Sequence, residues 1–574
     1  MPEHAMPTPH ATGRPATERP ATGRPGTEPS DAIIVGAGLA GLVAASELVD
    51  AGKRVTIVEQ EPEASFGGQA WWSFGGLFLI ASKEQRLMGV KDSFELARQD
   101  WFGAAGFDRE EDFWARKWAE AYLRFATDEK RDWLRGMGVK FFPVVGWAER
   151  GGYTATGHGN SVPRFHIVWG TGPGILEPFI AKVRKGAEQG LVTLAFRRRV
   201  DELIVEGGAV VGVHGTTLAA DDAERGTASN RDETGTFELR AGAVIVASGG
   251  IGGNQELVRA NWPKRMGTPP KEMLTGVPAH VDGRMLGISE RAGARLVNGD
   301  RMWHYVEGIE NYAPVWTKHG IRILPGPSSL WLDATGKRLP VPLFPGFDTL
   351  GTLEHIVSTG YDHSWFILTQ KIIEKEFALS GSEQNPDLTG KDIGLLLQRV
   401  KKGAPAPVEA FKEKGADFIV ANTLPELITG MQKLSPEATI DAEQVELEVH
   451  ARDRELDNDF SKDAQVNAIR QARHYRGDKL IRVASPHKLL DPKAGPLIAV
   501  KLHILTRKSL GGIQTDLNSQ ALDAAGEPIP GLYAAGEASG FGGGGVHGYR
   551  SLEGTFLGGC LFSGRVAGRA VAAL

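Results

Sequence analysis

The chain has 574 residues, 41% hydrophobic and 24% charged, a composition typical of globular proteins, and its length indicates two or more domains. A formal net charge of -5 gives no support for a nucleic-acid partner, and no run of ~18 apolar residues predicts a transmembrane segment. The single cysteine, Cys560, excludes an intrachain disulfide and a cysteine zinc site. The histidines show no ligand spacing, so we predict no metal.

Residues 1–30 repeat the pattern Ala-Thr-(Gly/Glu)-Arg-Pro and contain no apolar residue larger than Met. This composition cannot build a core, so we expect a disordered tail. The tail has no hydrophobic signal segment and no twin arginine, so we expect a cytoplasmic location.

A dinucleotide-binding pattern begins at Asp31, where a short apolar run typical of a central parallel strand precedes a glycine turn. Gly36 allows the tight turn, Gly38 lets the backbone approach a pyrophosphate, and Gly41 lets the next helix pack on the strand. The free N–H groups of that helix then face the phosphates. Glu59 ends the second strand, 23 residues after Gly36, where a carboxylate can bind ribose hydroxyls.

The chain between residues 60 and 260 has alternating helical and strand patterns. We predict helices within 92–137 and over 174–186, strands over 192–196, 200–205, 209–213 and 237–246, and a surface loop over 217–235. Because Glu206-Gly-Gly208 joins two of these strands, it predicts a hairpin.

Three further glycine segments extend the first pattern, and they are Gly67-Gly-Gln-Ala70, Ala247-Ser-Gly-Gly250 and Gly531-Leu-Tyr-Ala-Ala-Gly-Glu537. With them the chain resembles the flavoprotein superfamily of fumarate reductases, succinate dehydrogenases and 3-ketosteroid dehydrogenases. The resemblance implies an α/β fold in which a Rossmann-like FAD-binding domain carries an inserted α+β capping domain. The residues that it implies for the cofactor are Gly36, Gly38, Gly41, Glu59, Gly67, Gly68, Gln69, Gly249, Gly250, Gly536, Glu537 and Thr555.

The segment Asp333-Ala-Thr-Gly-Lys-Arg338 resembles a turn of the capping domain. The expected divisions are a first part of the FAD-binding domain over 31–265, a capping domain over 266–490 and a second FAD-binding part over 491–574. The active site is then expected in the cleft between the two domains.

Two branches of the superfamily fit the chain less well. Succinate dehydrogenases bind the flavin covalently through a histidine six residues before a glycine pair that corresponds to Gly75-Gly76. Gln69 stands at that position, so we predict noncovalent FAD. Fumarate reductases place a proton-donating arginine soon after the capping-domain turn, but residues 339–373 contain no arginine, which disfavours fumarate reduction.

The C-terminus resembles the ketosteroid dehydrogenases, because Tyr549, Thr555 and Phe562 align with that family's Tyr, Thr and Phe without a gap. The resemblance implies that the Tyr549 hydroxyl binds the ketone oxygen together with a glycine N–H four residues later, which favours the enolate. Glu553 stands at that glycine position, and Gly554 follows it. The Glu553 carboxylate must therefore either turn away from a developing oxyanion or be protonated.

In the same branch a tyrosine of the capping domain acts as the base, and Tyr305 and Tyr312 are the candidates. His547 lies in the glycine-rich loop beside the expected flavin and is a further catalytic candidate. Arg550 and Lys508 are candidates to hold a charged substrate.

Three functions stay open from the sequence. The first is an FAD-dependent dehydrogenase that desaturates a carbon–carbon bond next to a ketone in a steroid or other hydrophobic polycyclic substrate. The second is a flavin-dependent reductase of a fumarate-like carboxylate, held by Arg550 and Lys508. The third is a flavoprotein subunit that passes electrons to a protein partner. Because no second nucleotide fingerprint is present, we expect a quinone or another carrier as electron acceptor rather than NAD(P).

Overall fold

The computed structural model describes residues 30–150, 159–399 and 403–574. The tail predicted over residues 1–30 lies outside these ranges, apart from Ser30. The strands are β1 (Ser30–Val35), β2 (Val55–Glu59), β3 (Gly76–Phe78), β4 (Phe141–Gly146), β5 (Phe165–Val168), β6 (Val192–Phe196), β7 (Arg198–Glu206), β8 (Ala209–Leu218), β9 (Glu233–Val246), β10 (Leu274–Thr275), β11 (Leu296–Val297), β12 (Met302–Glu310), β13 (Gly320–Leu324), β14 (Leu330–Asp333), β15 (His363–Thr369), β16 (Ala378–Leu379), β17 (Phe418–Ala421), β18 (Leu497–Ser509), β19 (Gly512–Ile513), β20 (Gln520–Leu522) and β21 (Pro528–Ala534).

The helices are α1 (Leu39–Asp50), α2 (Lys83–Leu87), α3 (Phe94–Ala105), α4 (Phe113–Asp128), α5 (Lys130–Gly136), α6 (Thr171–Glu188), α7 (Gln255–Ala260), α8 (Arg284–Arg291), α9 (Thr349–Ser358), α10 (Gln370–Glu376), α11 (Pro386–Thr389), α12 (Ile393–Gln398), α13 (Ala406–Lys414), α14 (Leu424–Leu434), α15 (Ala442–Asp457), α16 (Ala464–Ala472), α17 (Arg476–Ile481) and α18 (Thr555–Ala572). Within the described ranges, no helix is both long enough and apolar enough to cross a membrane.

The first sheet has the strand order β20-β21-β9-β1-β2-β6, and β7 and β8 continue it from β9. β1 is parallel to both β2 and β9, and its residues Ala32 to Val35 are buried because helices cover the sheet. α1 packs against α6 and α18. The sheet confirms the Rossmann-like α/β fold.

The predicted hairpin is confirmed by the antiparallel pairing of β7 with β8. The surface loop is shorter than predicted, since β8 and β9 extend their ladder to the pair Leu218 and Glu233. The residues at the ends of β8 and β9 are polar, so their composition predicted a loop. Hydrogen bonds between the two strands satisfy their backbone groups and extend the strands.

The second sheet has the order β14-β15-β18-β12-β13-β16, and β10 and β17 also pair with β18. β18 is therefore the central strand of the second sheet, although the division expected at residue 491 assigned it to the FAD-binding part. The apolar run from Leu497 to Leu505 is a strand that is mostly buried. Such a run indicates burial, but it does not indicate which sheet contains the strand. The change from the second sheet to the first falls after Ser509.

Candidate active site

The turn between β1 and α1 lines an open cleft at the carboxyl end of the first sheet. This first cleft has a wall that includes Gly36, Gly38, Glu59, Gly68, Gln69, Arg199, Ala247, Gly249, His280, Asp282 and Glu537. Gly36 has a φ of 107°, and a Cβ on it would stand 2.6 Å from the carbonyl oxygen of Ala247. A Cβ on Gly41 would stand 2.2 Å from the carbonyl oxygen of Gly36. Both glycines are therefore required for α1 to pack closely on the sheet.

The N-terminus of α1 opens onto the first cleft without a capping side chain. Gly38 is the N-cap residue, and the first turn of α1 contains no acidic residue. A Cβ on Gly38 would have no protein atom nearer than 4.0 Å, so packing within the protein does not require glycine here. The free N–H groups at the positive end of the helix dipole and the open space beside them suit a phosphate.

Glu59 lies at the end of β2 in the wall of the first cleft. Its Oε2 accepts a hydrogen bond from the Ala37 N–H at 2.8 Å, and its Oε1 accepts one from the Glu61 N–H at 3.0 Å. Burial raises the pKa of Glu59, and these two bonds oppose the rise. Because each carboxylate oxygen can accept a second bond, Glu59 can also bind ribose hydroxyls.

Gln69 and Glu537 stand where the first cleft meets a second one. The Gln69 amide donates a hydrogen bond to the Glu537 carboxylate, and Oε1 of Glu537 accepts another from the Ser509 N–H at 2.8 Å. Gln69, Ala70, Glu537 and Cys560 line both clefts. The two clefts are therefore continuous past this pair.

Three of the predicted cofactor glycines lie behind the wall of the first cleft and support it. A Cβ on Gly67 would stand 2.8 Å from the Leu176 side chain, and one on Gly536 would stand 2.8 Å from Cβ of Ala40. A Cβ on Gly250 would stand 2.4 Å from Oε1 of Glu537. Their packing holds the backbone in place, whereas Gly36, Gly38, Gly68 and Gly249 reach the cleft itself.

The second cleft is formed between the second sheet and the start of α18. Its wall includes Phe74, Phe165, Tyr305, Arg322, Leu324, Arg507, Lys508, Phe541, Glu553, Gly554 and Phe556. The N-terminus of α18 opens onto it, with Gly554 as N-cap, no capping side chain and no acidic residue in the first turn. The cleft therefore combines apolar walls, charged side chains and free helix N–H groups.

Tyr305 and Lys508 are in contact in the second cleft. Lys508 Nζ donates a hydrogen bond to the Tyr305 hydroxyl oxygen at 3.0 Å, and the Arg322 guanidinium lies 3.8 Å from the centre of the Tyr305 ring. Burial, together with Arg507, lowers the pKa of Lys508 well below its ordinary value. Burial and the Glu553 charge raise the pKa of Tyr305. The contact thus joins an amine that loses its proton more readily than an ordinary lysine to a phenol that keeps its proton more firmly than an ordinary tyrosine.

Glu553 turns toward Arg322, as a carboxylate near a developing oxyanion must. Its Oε1 accepts hydrogen bonds from Arg322 Nη1 at 2.7 Å and from Trp303 Nε1 at 3.1 Å. Burial alone would raise the pKa of Glu553, but the Arg322 and Lys508 charges lower it below its ordinary value. The ion pair of Glu553 with Arg322 neutralises both charges.

Comparison with known proteins decides the cofactor. The FAD binding domain family matches residues 31–557. A KsdD-like steroid dehydrogenase of Mycobacterium tuberculosis (strain H37Rv) is 65% identical over 544 residues, which cover 95% of this chain and 96% of that protein. The KsdD-like steroid dehydrogenase of Mycolicibacterium smegmatis is 64% identical over 528 residues, 92% of this chain and 96% of that protein. The chain belongs to the FAD-binding family. It is an FAD-dependent dehydrogenase.

Solved structures share the fold of this dehydrogenase. A 3-ketosteroid Δ1-dehydrogenase from Sterolibacterium denitrificans aligns with a TM-score of 0.63 at 18% identity, over 95% of this chain and all of that one (100%). A flavocytochrome c3 fumarate reductase aligns with a TM-score of 0.61 at 19% identity, over 95% of this chain and 78% of that one. Both types of flavoenzyme therefore share the overall fold of this chain.

The residues of this dehydrogenase fit FAD. The uncapped α1 and the space at Gly38 suit the pyrophosphate, and Glu59 suits a ribose. The clefts join at Gln69 and Glu537, so a dinucleotide extended along the first cleft can bring its ring system to the second. The described residues contain no group of three or more potential metal ligands.

Tyr549, predicted to bind the ketone oxygen, lies outside the walls of both clefts in this structure. Its ring lies 4.0 Å from the Arg301 guanidinium and 4.6 Å from that of Arg265, and its hydroxyl donates to Asp108 Oδ2 at 3.2 Å. Its N–H also donates to the Ala105 carbonyl at 2.8 Å. These contacts hold the ring in a cationic cluster outside the clefts.

Tyr312 and Arg550, the other predicted catalytic residues of this region, also lie outside the wall of the second cleft. The Tyr312 side chain is 40% exposed, and its ring packs on Phe411 with 4.8 Å between ring centres. Arg550 Nε donates to Asp348 Oδ1 at 3.4 Å. Tyr305 is therefore the only one of the five predicted catalytic residues that the described structure places in the cleft.

His547 and Thr555 contact each other behind the second cleft rather than in it. His547 Nε2 and Thr555 Oγ1 are 2.9 Å apart, and the histidine ring packs against Trp101, Phe541 and Phe556. Burial lowers the pKa of His547 to about 3, so the ring is neutral near pH 7. The pair supports the two phenylalanines that line the cleft.

Sequence reasoning missed Arg322 altogether. Its signal was present, because Gly320-Ile-Arg-Ile-Leu324 carries one charge in an otherwise apolar strand. A charge in a buried strand requires a partner, and the partners are Glu553 at 2.7 Å and Glu307 at 3.4 Å. Arg199, His280 and Asp282 of the first cleft were also missed, since they come from β7 and the segment before α8 and form no local motif.

Proposed function

We propose that this dehydrogenase desaturates a carbon–carbon bond next to a ketone in a steroid-like polycyclic substrate. The observation that carries the proposal is the contact of Tyr305 with Lys508 in a cleft that has apolar walls and is continuous with the FAD cleft. The KsdD-like steroid dehydrogenases that share 64% to 65% of aligned residues support the substrate class.

The reaction removes a hydride and a proton from neighbouring carbons. FAD, when bound, supplies the chemistry that accepts the hydride. The Tyr305 oxygen takes the proton from the carbon next to the ketone while the Tyr305 hydroxyl proton passes to the uncharged Lys508 amine. This transfer avoids a free tyrosinate, which the raised pKa of Tyr305 opposes.

The ketone oxygen gains negative charge as the proton leaves. Free N–H groups in the first turn of α18 belong to residues in the wall of the second cleft, and they lie at the positive end of an 18-residue helix. They take the role that the sequence assigned to the Tyr549 hydroxyl. The phenylalanine rings of the wall exclude water from the reacting carbons.

A panel of substrates tests this function. Purified FAD-loaded protein is mixed anaerobically with 3-ketosteroids, a saturated polycyclic alcohol and dicarboxylates, and the bleaching of the flavin absorbance is followed. The proposal expects reduction by a ketosteroid and desaturation of the consumed steroid, detected by mass spectrometry as a loss of two hydrogens. No bleaching by any ketosteroid would contradict it.

A second candidate is the reduction of an alkene that carries a carboxylate. It is favoured by Arg507, which lines the second cleft and for which the described residues provide no carboxylate at ion-pair distance. Arg550, which the sequence proposed for this role, is bonded elsewhere. Reoxidation of dithionite-reduced protein by fumarate, lost in Arg507→Gln, would favour this candidate over desaturation.

We also propose that FAD is bound noncovalently. The amide side chain of Gln69 is not nucleophilic enough to attack the flavin, and it donates a hydrogen bond to Glu537. Acid precipitation should leave the flavin in the supernatant, and a yellow pellet after washing would contradict the proposal. A quinone or another carrier as acceptor and a cytoplasmic location stay predictions.

A further inference from the structure

An apolar cavity of about 690 Å³ lies beyond the second cleft. Its wall includes Phe142, Trp147, Phe377, Leu396 and Ile481. It shares Phe74, Phe165 and Leu324 with the second cleft, so a ligand in the cavity can extend to the reacting groups. The proposed catalysis uses none of the polar groups of this cavity.

Two cations in the cavity wall have only backbone partners. Nη2 of Arg482 donates a hydrogen bond to the Leu324 carbonyl at 2.7 Å, and Lys375 Nζ donates to the Leu480 carbonyl. In the ranges 30–150, 159–399 and 403–574, neither cation has a carboxylate within ion-pair distance. Burial lowers the pKa of Arg482 to about 10 and also lowers that of Lys375.

The other charges of the wall are paired, with one exception. Arg399 forms an ion pair with Asp387, and Asp478 forms one with Arg150 at 2.7 Å. Glu374 is the remaining acidic residue of the wall. Among the described residues of the wall, two cations and one carboxylate are thus left, and the excess charge is positive.

Asp478 and Glu376 act on Arg482 from beyond ion-pair distance, but burial lowers its pKa by more than they raise it. A cation held against an apolar wall costs free energy unless an anion accompanies it. Arg482 therefore points to an anionic ligand group with an apolar body, and the partly buried Lys375 adds positive charge to the same wall.

We propose that the cavity binds the anionic end of the substrate, and that the substrate is a polycyclic ketone with a carboxylate on the end opposite the ketone. This proposal rests on the proposed function. Arg322 lines the second cleft and Leu324, which accepts the bond from Arg482, lines both spaces. The two residues lie on one face of β13, about 7 Å apart along the strand. The ring system extends from the second cleft into the cavity, with the ketone near Tyr305 and the carboxylate at Arg482.

The test compares an acid with its ester. The probes are a 4-androsten-3-one that carries a carboxylate on its D ring and the methyl ester of the same compound. Dissociation constants for the FAD-loaded protein are measured by calorimetry, and flavin bleaching is measured separately. We expect wild-type protein to bind the acid roughly ten- to hundredfold more tightly than the ester, as a charge-assisted hydrogen bond predicts.

Variants assign the preference to the cavity. Arg482→Gln should remove most of the preference for the acid and leave the affinity for the ester unchanged, whereas Arg482→Lys should retain part of it. Lys479→Gln is the matched control, because Lys479 is an exposed cation on the same helix, α17, outside the cavity wall. If Arg482→Gln fails to fold, Lys375→Gln serves for the same measurement.

The outcomes separate the two proposals. Equal affinity for acid and ester, or a preference that survives both Arg482→Gln and Lys375→Gln, would overturn the anion site while ester-driven bleaching still supports the proposed function. A cavity-dependent preference for the acid without any bleaching would support the anion site and contradict ketone desaturation.

Discussion

The two clefts meet at Gln69 and Glu537 but are built from different kinds of group. The part of the first cleft that suits a phosphate and a ribose is a glycine turn, the N–H groups of α1 and a strand-end carboxylate, all within residues 33–59, and later segments add side chains such as Arg199 and His280. The second presents side chains from β12, β13 and β18 and from the residues before α18. Arg322 and Glu553, which form its central ion pair, are 231 residues apart in the sequence.

This contrast indicates which of the two sites can change its catalytic residues while the fold is kept. A backbone site tolerates few substitutions, because its glycines are fixed by packing or by ligand space. A side-chain site can exchange its charged groups while the strands that carry them keep their pairing. The first cleft thus defines the cofactor, and the second defines the reaction.

The largest effect is expected at Gly38 in the first cleft. Gly38→Val should abolish FAD binding without unfolding the protein, because a Cβ there has no protein atom nearer than 4.0 Å but stands in the phosphate space. Flavin absorbance per protein and the thermal unfolding midpoint are measured together. Gly235→Val is the control, since a Cβ there also meets nothing within 4 Å and lies away from the clefts. A fully flavin-loaded Gly38→Val protein would sink the assignment of the phosphate site.

The next effect separates the two clefts. Tyr305→Phe should keep a full complement of FAD but slow flavin reduction by a ketosteroid by roughly 10²- to 10⁴-fold, because the proton relay is lost. Stopped-flow absorbance measures the rate. Tyr312→Phe and Tyr549→Phe should stay near wild type, since neither residue lines the cleft. A strong effect of Tyr549→Phe, with Tyr305→Phe mild, would reverse this assignment.

The pH dependence sharpens the role of Lys508. Burial lowers the pKa of its amine, and the amine accepts a proton only when uncharged. The rate of flavin reduction should therefore rise as the pH increases through that lowered pKa and be level above it. Lys508→Gln should give a slower rate that does not depend on pH in this range. Lys501 lies on the same strand but outside the cleft, so Lys501→Gln should keep the wild-type dependence of the rate on pH. The same dependence in Lys508→Gln would exclude Lys508 as the proton acceptor.

The smallest effect concerns stability behind the second cleft. His547 has a pKa of about 3 in the folded protein, lowered from 6.5 by burial. Below pH 6.5 His547 is protonated in the unfolded chain but stays neutral in the folded protein. Each pH unit between 6.5 and its folded pKa therefore lowers the free energy of unfolding by about 1.4 kcal/mol. His547→Asn should flatten the decline measured by urea unfolding between pH 7 and 5. The exposed His450→Asn should not, and an equal decline in both variants would contradict the effect.

The sequence predicted the first cleft well because local backbone geometry determines it. Gly36, Gly38, Glu59 and Gln69 are placed by one βαβ unit and the turn after it, and all four line the cleft. The second cleft was predicted poorly because its groups converge only in the tertiary structure. Tyr305 was identified by its residue type and its place in the capping domain.

The position of Tyr549 outside the clefts has a physical cause. Its ring packs against the guanidinium groups of Arg265 and Arg301. Those arginines are distant from Tyr549 in the sequence. The residues around Tyr549 therefore cannot indicate the direction in which its ring points. The same reasoning explains β18, whose apolar pattern indicates burial without naming its partner strands.

The central position of β18 has a consequence for synthesis on the ribosome. β18 pairs with β10, β12, β15 and β17, and Leu274 of β10 pairs with Leu505. At ordinary elongation rates, roughly 10 to 50 seconds pass between the synthesis of β10 and the addition of Ser509 at the end of β18. During that interval their apolar edges have no partner, and unpaired edges promote aggregation. The yield of folded protein should therefore depend on how well the nascent chain is kept apart from its neighbours until its last 70 or so residues emerge.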